Sequence, residues 1–316
     1  MMRNKKVAIL LSSFNGEKYI YEQVISILQQ QLDCDLSLVV RDDGSTDSTI
    51  KILHEIREKD SRLVIIEGEN CGGNGSFFEL LKYARELPQE YEYFALSDQD
   101  DVWDLNKVQI GVDAIRKSGK TKPILYGSIT RPVNEQLEVI PRKRKTLKPI
   151  TFYNSIIQNF IAGHTQIMNR QLLNLVYEAD ASLLYGHDSF IVNVAVLAGD
   201  VIFDSQPHAS YRQHNNNQLG TSNCSRLAWI KQRLHRIKKG DSRQYGTQIE
   251  YIREYCKELM TQEQYDEVTR FLEYRKNFFN RLRYIATKKV YRQERFDDLA
   301  FCLLYLFGGY NTDRKK

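Results

Sequence analysis

The sequence predicts an α/β fold in which a mostly parallel sheet is flanked by helices, with a helical extension at the C-terminus. In the first hundred residues, short apolar runs alternate with stretches whose apolar residues recur at helical spacing. Polar, loop-forming residues follow three of the four apolar runs, at the sheet edge where open α/β folds bind their ligands. The 316 residues are enough for one large domain and an appendage, which we place at residues 1–221 and 222–316.

The first predicted strand, Val7 to Leu11, is continuously apolar, as expected for a strand that is buried on both faces of a parallel sheet. Apolar residues between Ile20 and Leu28 then line one face of a helix. Similar apolar runs predict further strands at residues 36–40, 62–66 and 93–97, and helical patterns begin near residues 50 and 77. This alternation implies right-handed crossovers and parallel neighbouring strands.

The rest of the chain has a different pattern. Residues 123–215 are less regular, with strand-like pieces at 124–126 and 201–203 and a helix predicted to begin near Asp188. From residue 222 onward the pattern is helical and rich in Arg, Lys, Tyr and Leu. This change of pattern places the start of the helical region at residue 222.

The stretch Asp98-Gln99-Asp100-Asp101 follows the fourth apolar run directly. Three carboxylates in four residues repel one another, so a shared cation is expected to stabilise them at a strand end. A hard divalent metal prefers such oxygen ligands and bridges readily to phosphate oxygens. These residues alone leave a second interpretation open, in which a polar turn precedes a helix capped by Asp101 or Asp104.

Two further strands end in polar motifs, residues 12–16 and 42–47. Because the carboxyl ends of parallel strands meet at one edge of a sheet, we expect these motifs to converge with the acidic stretch. Their convergence is stronger support for a binding site than any one motif.

Charge and cysteine content exclude several classes of protein. The net charge of +5 is modest, and basic residues cluster at 142–145 and 231–239, which does not identify a nucleic-acid binder; we expect no nucleic acid as partner. The five cysteines are scattered and odd in number, which argues against a disulfide framework and favours a reducing cytoplasm.

Five ordered motifs together resemble family-2 glycosyltransferases of the GT-A fold, over roughly residues 5–218. They lie at residues 11–17, 41–47, 97–103, 186–188 and 211–214. The form Asp-Gln-Asp-Asp-Val-Trp, with Tyr-Arg-Gln-His-Asn-Asn downstream, is similar to bacterial rhamnosyltransferases that build cell-wall or capsular polysaccharide.

The resemblance implies a set of donor-binding residues that hold a nucleotide-sugar. These are Ser12, Phe14, Glu17, Asp42, Asp43, Asn70, Gly72, Asp98 and Gln99. A carboxylate accepts a hydrogen bond from the base, and an aromatic face stacks on it. The alternatives are core packing for Phe14, turn chemistry for one of the two adjacent aspartates, and an ordinary glycine-rich connection around Gly72.

The resemblance also implies that Asp98, Asp100 and His214 hold Mg²⁺ or Mn²⁺ against the donor diphosphate. A histidine nitrogen suits Mn²⁺ better than Mg²⁺, and the alternative for His214 is simple exposure. Asp188 is the expected catalytic base, with helix capping as its alternative role and His187 as the alternative base.

Residues Asn159, Gly163, His164, Thr165 and His187 lie where the family shapes its acceptor pocket. For His164 a buried, hydrogen-bonded histidine is the alternative.

The implied activity is inverting, metal-dependent transfer of a sugar, L-rhamnose from dTDP-rhamnose, to a hydroxyl of a lipid-linked saccharide. UDP-glucose, UDP-galactose and UDP-N-acetylhexosamine remain alternative donors. A nucleotidyltransferase is disfavoured because the loop at residues 12–16 lacks the basic residue of a phosphate loop, and a nucleic-acid-binding protein because acidic strand ends repel phosphates.

The C-terminal region suggests contact with an anionic membrane, which would place the chain at the inner face of the plasma membrane. Residues 226–239 combine an apolar stripe at helical spacing with Trp229 and many cations, as in interfacial helices. The apolar run 299–310 is too short to span a bilayer. Packing within a helical subdomain is the alternative, and a homodimer is left open.

Overall fold

The computed structural model describes residues 5–119, 121–141, 148–214 and 241–312. The chain divides into two compact units, which we call the sheet unit and the helical unit. The sheet unit comprises Met1–Lys143, Ile161–Ala179 and Gly199–Thr221, and the helical unit comprises Arg144–Phe160, Asp180–Ala198 and Ser222–Lys316. Residues 144–160 and 180–198, which we expected in the first domain, therefore group with the C-terminal region. The predicted interfacial helix at 226–239 and the basic clusters lie outside the described residues.

The sheet unit contains one sheet of eight strands among the described residues. These are β1 (Lys6–Ser13), β2 (Asp35–Asp42), β3 (Leu63–Glu67), β4 (Tyr91–Ser97), β5 (Val102–Trp103), β6 (Ile124–Val133), β7 (Ile167–Asn169) and β8 (Asp200–Arg212). Their order in space is β3-β2-β1-β4-β7-β6-β8-β5. The first four strands pair in parallel, which confirms the prediction, whereas β7 runs antiparallel to β4 and β6.

The helices cover both units. In chain order they are α1 (Ile20–Leu28), α2 (Thr49–Arg57), α3 (Gly72–Glu86), α4 (Lys107–Lys117), α5 (Phe152–Ser155), α6 (Arg170–Val176), α7 (His187–Ala198), α8 (Asp241–Tyr255), α9 (Gln262–Tyr274), α10 (Phe278–Thr287) and α11 (Arg295–Leu306). Helices α5 and α7 to α11 belong to the helical unit. In the part of the chain that the structure describes, none of these helices is long and apolar enough to cross a bilayer.

The core of the sheet unit forms where the sequence predicted it. Every residue from Val7 to Leu11 is fully buried, because helices cover both faces of the central strand. Helix α1 buries Ile20, Val24 and Ile27 on the face that their spacing predicted. Burial of this much apolar surface is the main stabilising contribution to such a core.

The register of the parallel strands brings the polar motifs to one edge. Ser13 at the end of β1 lies opposite Asp42 at the end of β2. Leu11 lies opposite Ser97, the last residue of β4. The loops that follow these three strands therefore leave the sheet side by side, as expected for the ligand-binding edge of an α/β fold.

The helical unit has its own aromatic core. Phe271 of α9 lies with its ring centroid 4.9 Å from that of Tyr305 on α11, and Tyr284 of α10 lies 5.0 Å from Tyr305. The apolar run 299–310 splits between two environments, because Phe301, Tyr305 and Tyr310 are buried while Leu299, Leu303 and Phe307 are exposed. Packing thus accounts for the buried residues of this run, and membrane contact by the exposed ones stays a prediction.

Candidate active site

Gln99 joins the loop after β4 to the loop after β1. The Phe14 amide donates to Gln99 Oε1 at 2.8 Å, and Gln99 Nε2 donates to the Phe14 carbonyl at 3.1 Å. A Cβ on Gly16 would lie 2.3 Å from Gln99 Oε1, so a larger residue here would displace the Gln99 amide. The structure thus gives Gln99, expected among the donor-binding residues, a positioning contact between two motifs.

Asp42 uses its carboxylate to build the turn after β2. It accepts hydrogen bonds from the amides of Gly44 and Ser45 at 3.1 and 2.7 Å. It also accepts from the hydroxyls of Ser45 and Ser13 at 2.6 and 3.0 Å. Gly44 has a φ of 81°, which favours glycine at this position. Turn chemistry, the alternative considered for one of the two aspartates, accounts for this buried carboxylate.

Asp43 holds the loop that follows β3. Its carboxylate accepts from the amides of Cys71 and Gly72 at 3.0 and 2.9 Å and pairs with Arg41. Burial alone would raise the pKa of Asp43, but the hydrogen bonds from Cys71 and Arg41 outweigh it and hold the pKa below its usual value. Asp43 therefore fixes the segment of Asn70 and Gly72 against the site edge, and its contact with a nucleotide stays a prediction.

Three other donor-binding candidates surround the same edge. Phe14 exposes 45% of its surface, so the alternative of core packing is wrong and its ring is open to stack on a base. The Ser12 hydroxyl donates to Ser76 Oγ at 2.7 Å. Glu17 Oε2 accepts from the Ser48 amide at 2.9 Å, which links the first motif to the N-cap of α2.

The residues expected to hold the metal fall into two adjacent groups. His214 Nε2 lies 2.7 Å from Asp100 Oδ2, so the alternative that His214 is merely exposed is wrong. Asp98 instead faces His164, whose Nδ1 lies 3.5 Å from Asp98 Oδ2 and 3.6 Å from Asp101 Oδ2. The buried His164, expected in the acceptor pocket, is therefore part of the acidic cluster and stacks on the Tyr211 ring at 5.0 Å.

The sequence analysis counted Asp101 in the acidic stretch but did not name it among the metal-binding residues. It is fully buried, and among the described residues neither of its carboxylate oxygens has a hydrogen-bond partner. Burial raises its pKa to about 7. The capping alternative is wrong for both Asp101 and Asp104, because α4 begins at Lys107 with Asn106 as its N-cap. The only sequence signal for Asp101 was its place in the acidic stretch.

The buried carboxylate of Asp101 affects the pKa values of two charged groups near it, His164 and Lys107. Burial would lower the pKa of His164, but the carboxylates of Asp101 and Asp98 outweigh it and raise that pKa. Lys107 is also buried, with Nζ 3.3 Å from the Trp103 ring centroid. Burial lowers the pKa of Lys107 to about 7, against the opposing effect of Asp101. A buried base and a buried acid thus lie in the same part of the core.

This cluster fits a divalent cation. Asp98, Asp101 and His164 each offer one ligand atom, and these atoms all lie within 4.8 Å of one another. Asp100 and His214 add a second carboxylate–imidazole pair beside them. Oxygen donors with one or two imidazole nitrogens suit Mg²⁺ and, better, Mn²⁺. The unpartnered oxygens of Asp101 require a proton or a cation, because an unpaired buried charge is costly.

Arg212 and Tyr19 support the Asp100–His214 pair, and the sequence analysis identified neither. The buried Arg212 donates from Nε to the Asp100 carbonyl at 3.1 Å and pairs with Glu22. The Tyr19 ring lies 4.6 Å from the Arg212 guanidinium and 5.2 Å from the His214 ring, on which it stacks. Both side chains therefore restrict the orientation of the pair.

The helical unit carries the expected base. Asp188 lies in the first turn of α7, where its Oδ2 accepts from Asn159 Nδ2 at 2.6 Å and its Oδ1 from the Ser189 amide at 2.7 Å. His187 is the first residue of the same helix. A Cβ on Gly186 would lie 2.8 Å from Asp188 Oδ1, so glycine gives this carboxylate room.

The remaining acceptor candidates belong to the sheet unit. Gly163 and Thr165 form a short 3₁₀ turn with His164, and the Thr165 hydroxyl donates to the Ala162 carbonyl at 2.8 Å. The structure thus brings Asn159 to Asp188 and places Gly163 and Thr165 beside His164 in sequence and structure. Acceptor binding by these residues stays a prediction.

The chain is similar in sequence or in fold to several known proteins. The chain is 28% identical over 229 residues to the dTDP-rhamnosyl transferase RfbG of Shigella flexneri, covering 67% of this chain and 74% of that protein. It is 30% identical over 174 residues to the UDP-Glc:alpha-D-GlcNAc-diphosphoundecaprenol beta-1,3-glucosyltransferase WfgD of Escherichia coli, covering 53% and 62%. The structure of S. aureus TarS in complex with UDP superposes with a TM-score of 0.56 at 19% identity, covering 96% of this chain and 80% of that one.

The likeness to TarS shows a shared GT-A fold. The family model described as glycosyl transferase family 2 matches residues 8–176, more than half of the chain. The chain is therefore a glycosyltransferase that belongs to family 2.

Proposed function

We propose that this glycosyltransferase moves L-rhamnose from dTDP-rhamnose, with inversion, to a hydroxyl of a lipid-linked saccharide during synthesis of a cell-surface polysaccharide. The observation that carries the proposal is the carboxylate–imidazole cluster at the carboxyl end of β4, where Asp100 meets His214 and Asp98 faces His164. The rhamnosyl donor is supported by the activity for which the Shigella flexneri relative is named.

The sheet unit would bind the donor. Asp98, Asp100 and His214 are the residues that would hold Mg²⁺ or Mn²⁺, with Asp101 and His164 beside them. When bound, such a cation offsets the negative charge that builds up on the leaving diphosphate. The exposed ring of Phe14 would stack on the base, and Gln99 keeps the Phe14 loop in position through its two hydrogen bonds.

The helical unit would supply the base. Inversion by direct displacement requires a group that takes the proton of the acceptor hydroxyl as attack proceeds. The Asp188 carboxylate suits this role because the Asn159 amide fixes one of its oxygens. The other oxygen accepts a local bond from the following amide, and a carboxylate oxygen has a second lone pair with which it can accept from a hydroxyl.

A panel of nucleotide-sugars tests the proposal. Purified protein is incubated with dTDP-rhamnose, UDP-glucose, UDP-galactose and UDP-N-acetylglucosamine, with and without Mn²⁺, and released nucleotide and thermal stabilisation are measured. We expect metal-dependent release of dTDP from dTDP-rhamnose, which Asp100→Asn abolishes. Metal-independent release that is unchanged in the variant would rule out the metal-assisted mechanism.

A UDP-glucose donor is the second candidate, and the Escherichia coli relative, whose name specifies UDP-Glc, favours it. Preferential release of UDP from UDP-glucose in the same panel would replace rhamnose with glucose and leave the reaction class intact. The acceptor in that relative's name is a diphosphoundecaprenol-linked sugar, which supports a lipid-linked acceptor and a peripheral location at the inner face of the plasma membrane.

A further inference from the structure

Large apolar side chains are exposed on the last two helices of the helical unit. Phe279, Phe296 and Phe307 expose 74%, 70% and 77% of their surface. Their neighbours are exposed by 44% to 57%. We call this set the apolar face, and it comprises Phe278, Phe279, Leu282, Phe296, Leu299, Leu303 and Phe307. A globular protein seldom exposes so many large apolar side chains in one region without a partner.

Helical geometry places these residues on the outer sides of two packed helices. At about 100° per residue, the exposed residues of α10 lie opposite the buried Tyr284, and those of α11 lie opposite the buried Phe301 and Tyr305. Helices α10 and α11 pack against each other. Arg281 Nη1 also donates to the Leu306 carbonyl at 3.0 Å. The exposed side chains of both helices therefore point away from the aromatic core that the two helices share.

The apolar face lies in a positively charged segment. Residues 276–307 contain seven Lys or Arg against three Asp or Glu. The cations are Lys276, Arg281, Arg283, Lys288, Lys289, Arg292 and Arg295, and the anions are Glu294, Asp297 and Asp298. Two copies of such a segment would repel each other, whereas an anionic surface complements it.

We propose that the apolar face docks on an anionic phospholipid bilayer, with its phenylalanine and leucine side chains in the interface and the surrounding cations at the headgroups. Apolar helix faces flanked by Lys and Arg bind such interfaces through burial of apolar area and attraction to anionic lipid. This surface differs from the contact that the sequence predicted for residues 299–310, because α10 and Phe296 contribute more than half of the face. The inference rests on the peripheral location given under the proposed function, but on neither the donor nor the reaction, so its failure would leave the proposed sugar transfer intact.

Vesicle flotation tests the docking surface. The full chain is floated with vesicles of phosphatidylcholine alone or with 30% phosphatidylglycerol, a composition of about one anionic lipid in three. The test variant is Phe279→Ser/Phe296→Ser/Phe307→Ser. The matched control is Tyr21→Ser/Leu105→Ser/Val139→Ser, which removes three exposed apolar side chains from the sheet unit.

We expect the wild type and the control to float with anionic vesicles, and the test variant to bind about tenfold less or weaker still. Binding should also fall in high salt, and Arg283→Glu/Lys288→Glu should weaken it without altering the apolar face. Phe307→Ser alone provides a second, milder variant whose folding is checked by circular dichroism.

Three results would overturn the proposal. The first is a folded test variant that floats like the wild type, and the second is a wild type that fails to float with anionic vesicles. The third is a wild type that is a dimer in light scattering and a test variant that is a monomer, while neither protein binds lipid. The apolar face would then be a contact between two copies of the chain.

Discussion

Asp42 and Asp101 are both buried carboxylates at the same sheet edge, and their surroundings give them opposite properties. The side-chain oxygens of Asp42 accept four hydrogen bonds from Ser13, Gly44 and Ser45. Asp101 has no hydrogen-bond partner for its side-chain oxygens in the described part of the chain, and burial raises its pKa to about 7. The first carboxylate therefore stabilises the fold, and the second is available to a cation.

Replacing Asp42 should destabilise the protein. Asp42→Ala removes the acceptor of four hydrogen bonds and leaves buried donors unpaired, at a cost of about 3 kcal/mol in the free energy of unfolding. Urea denaturation measures the change, with Asp100→Asn as the control, for which we expect a loss below about 1 kcal/mol. Equal losses in the two variants would contradict the structural role of Asp42.

The raised pKa of Asp101 predicts a pH dependence for the metal-free protein. The folded-state pKa is about 7 against an ordinary value of 3.8, so the folded protein binds this proton more tightly than the unfolded chain. The contribution of Asp101 to the free energy of unfolding should therefore be largest below pH 3.8. It should fall as the pH rises to about 7. The lowered pKa of Lys107 has the opposite effect, because its contribution to the free energy of unfolding should rise between about pH 7 and pH 10.5.

Denaturation of metal-free protein at several pH values measures this dependence. Asp101→Asn should make the decline between about pH 4 and pH 7 shallower, because about one titrating proton is lost, while Asp100, whose pKa burial also raises, remains. A wild-type profile that rises over the same interval and is unchanged in the variant would show that burial does not raise the pKa of Asp101.

At the scale of elements, the site depends on the register of the parallel strands and on the close approach of the loop after β4 to the loop after β1. The continuous apolar runs predicted β1, β2 and β4, because buried central strands have a clear pattern. Strands β5 and β7, with two and three residues, are too short for any periodicity to identify. The register then aligned the polar strand ends, as the predicted parallel pairing requires.

The sequence analysis could not predict the side-chain contacts between segments that are far apart in the chain. The approach of His164 to Asp98 and Asp101 depends on a 3₁₀ turn that follows an irregular segment, for which spacing gives no orientation. The stacking of Tyr19 on His214 and the Arg212 bond to Asp100 likewise join residues far apart in the chain. Local patterns therefore predicted the strand-end motifs, and the family resemblance implied that Asp100 and His214 lie together, but neither identified the side chains that support this pair.

The contact of Gly16 with Gln99 gives a prediction at this scale. Gly16→Ala would place a methyl group 2.3 Å from Gln99 Oε1, displacing the side chain and the Phe14 loop at a cost of about 1–3 kcal/mol. Transfer activity should fall through a higher KM for the donor. In a Gln99→Ala background the same substitution should cost little, and a double-mutant cycle measures the difference. Strict additivity would show that the two residues do not interact.

At the scale of the whole molecule, the candidate site residues are divided between two compact units. The sheet unit holds the carboxylate–imidazole cluster, and the helical unit holds Asp188 with Asn159. The helical unit also draws on residues 144–160 and 180–198 from the middle of the chain. Its C-terminal helices can therefore not be treated as a separate appendage, because their core shares these inserted segments.

If the sheet unit binds the donor and the helical unit supplies the base, a substitution of the base should impair transfer without impairing donor binding. Asp188→Asn should lower kcat for transfer by about a hundredfold or more, because the amide cannot take up the acceptor proton. Binding of the donor and metal should stay at the wild-type level. Transfer assays and nucleotide titrations measure the two properties. A folded variant with full transfer activity would exclude Asp188 as the base.

The central claim is that the acidic cluster after β4 binds a divalent cation together with the nucleotide of the donor. Calorimetric titration of dTDP and UDP into the folded protein, with and without Mn²⁺, tests it most directly. We expect binding that requires Mn²⁺ and that Asp100→Asn and Asp101→Asn each weaken about tenfold or more. Failure of the wild-type protein to bind either nucleotide in the presence of Mn²⁺ or Mg²⁺ would contradict the account.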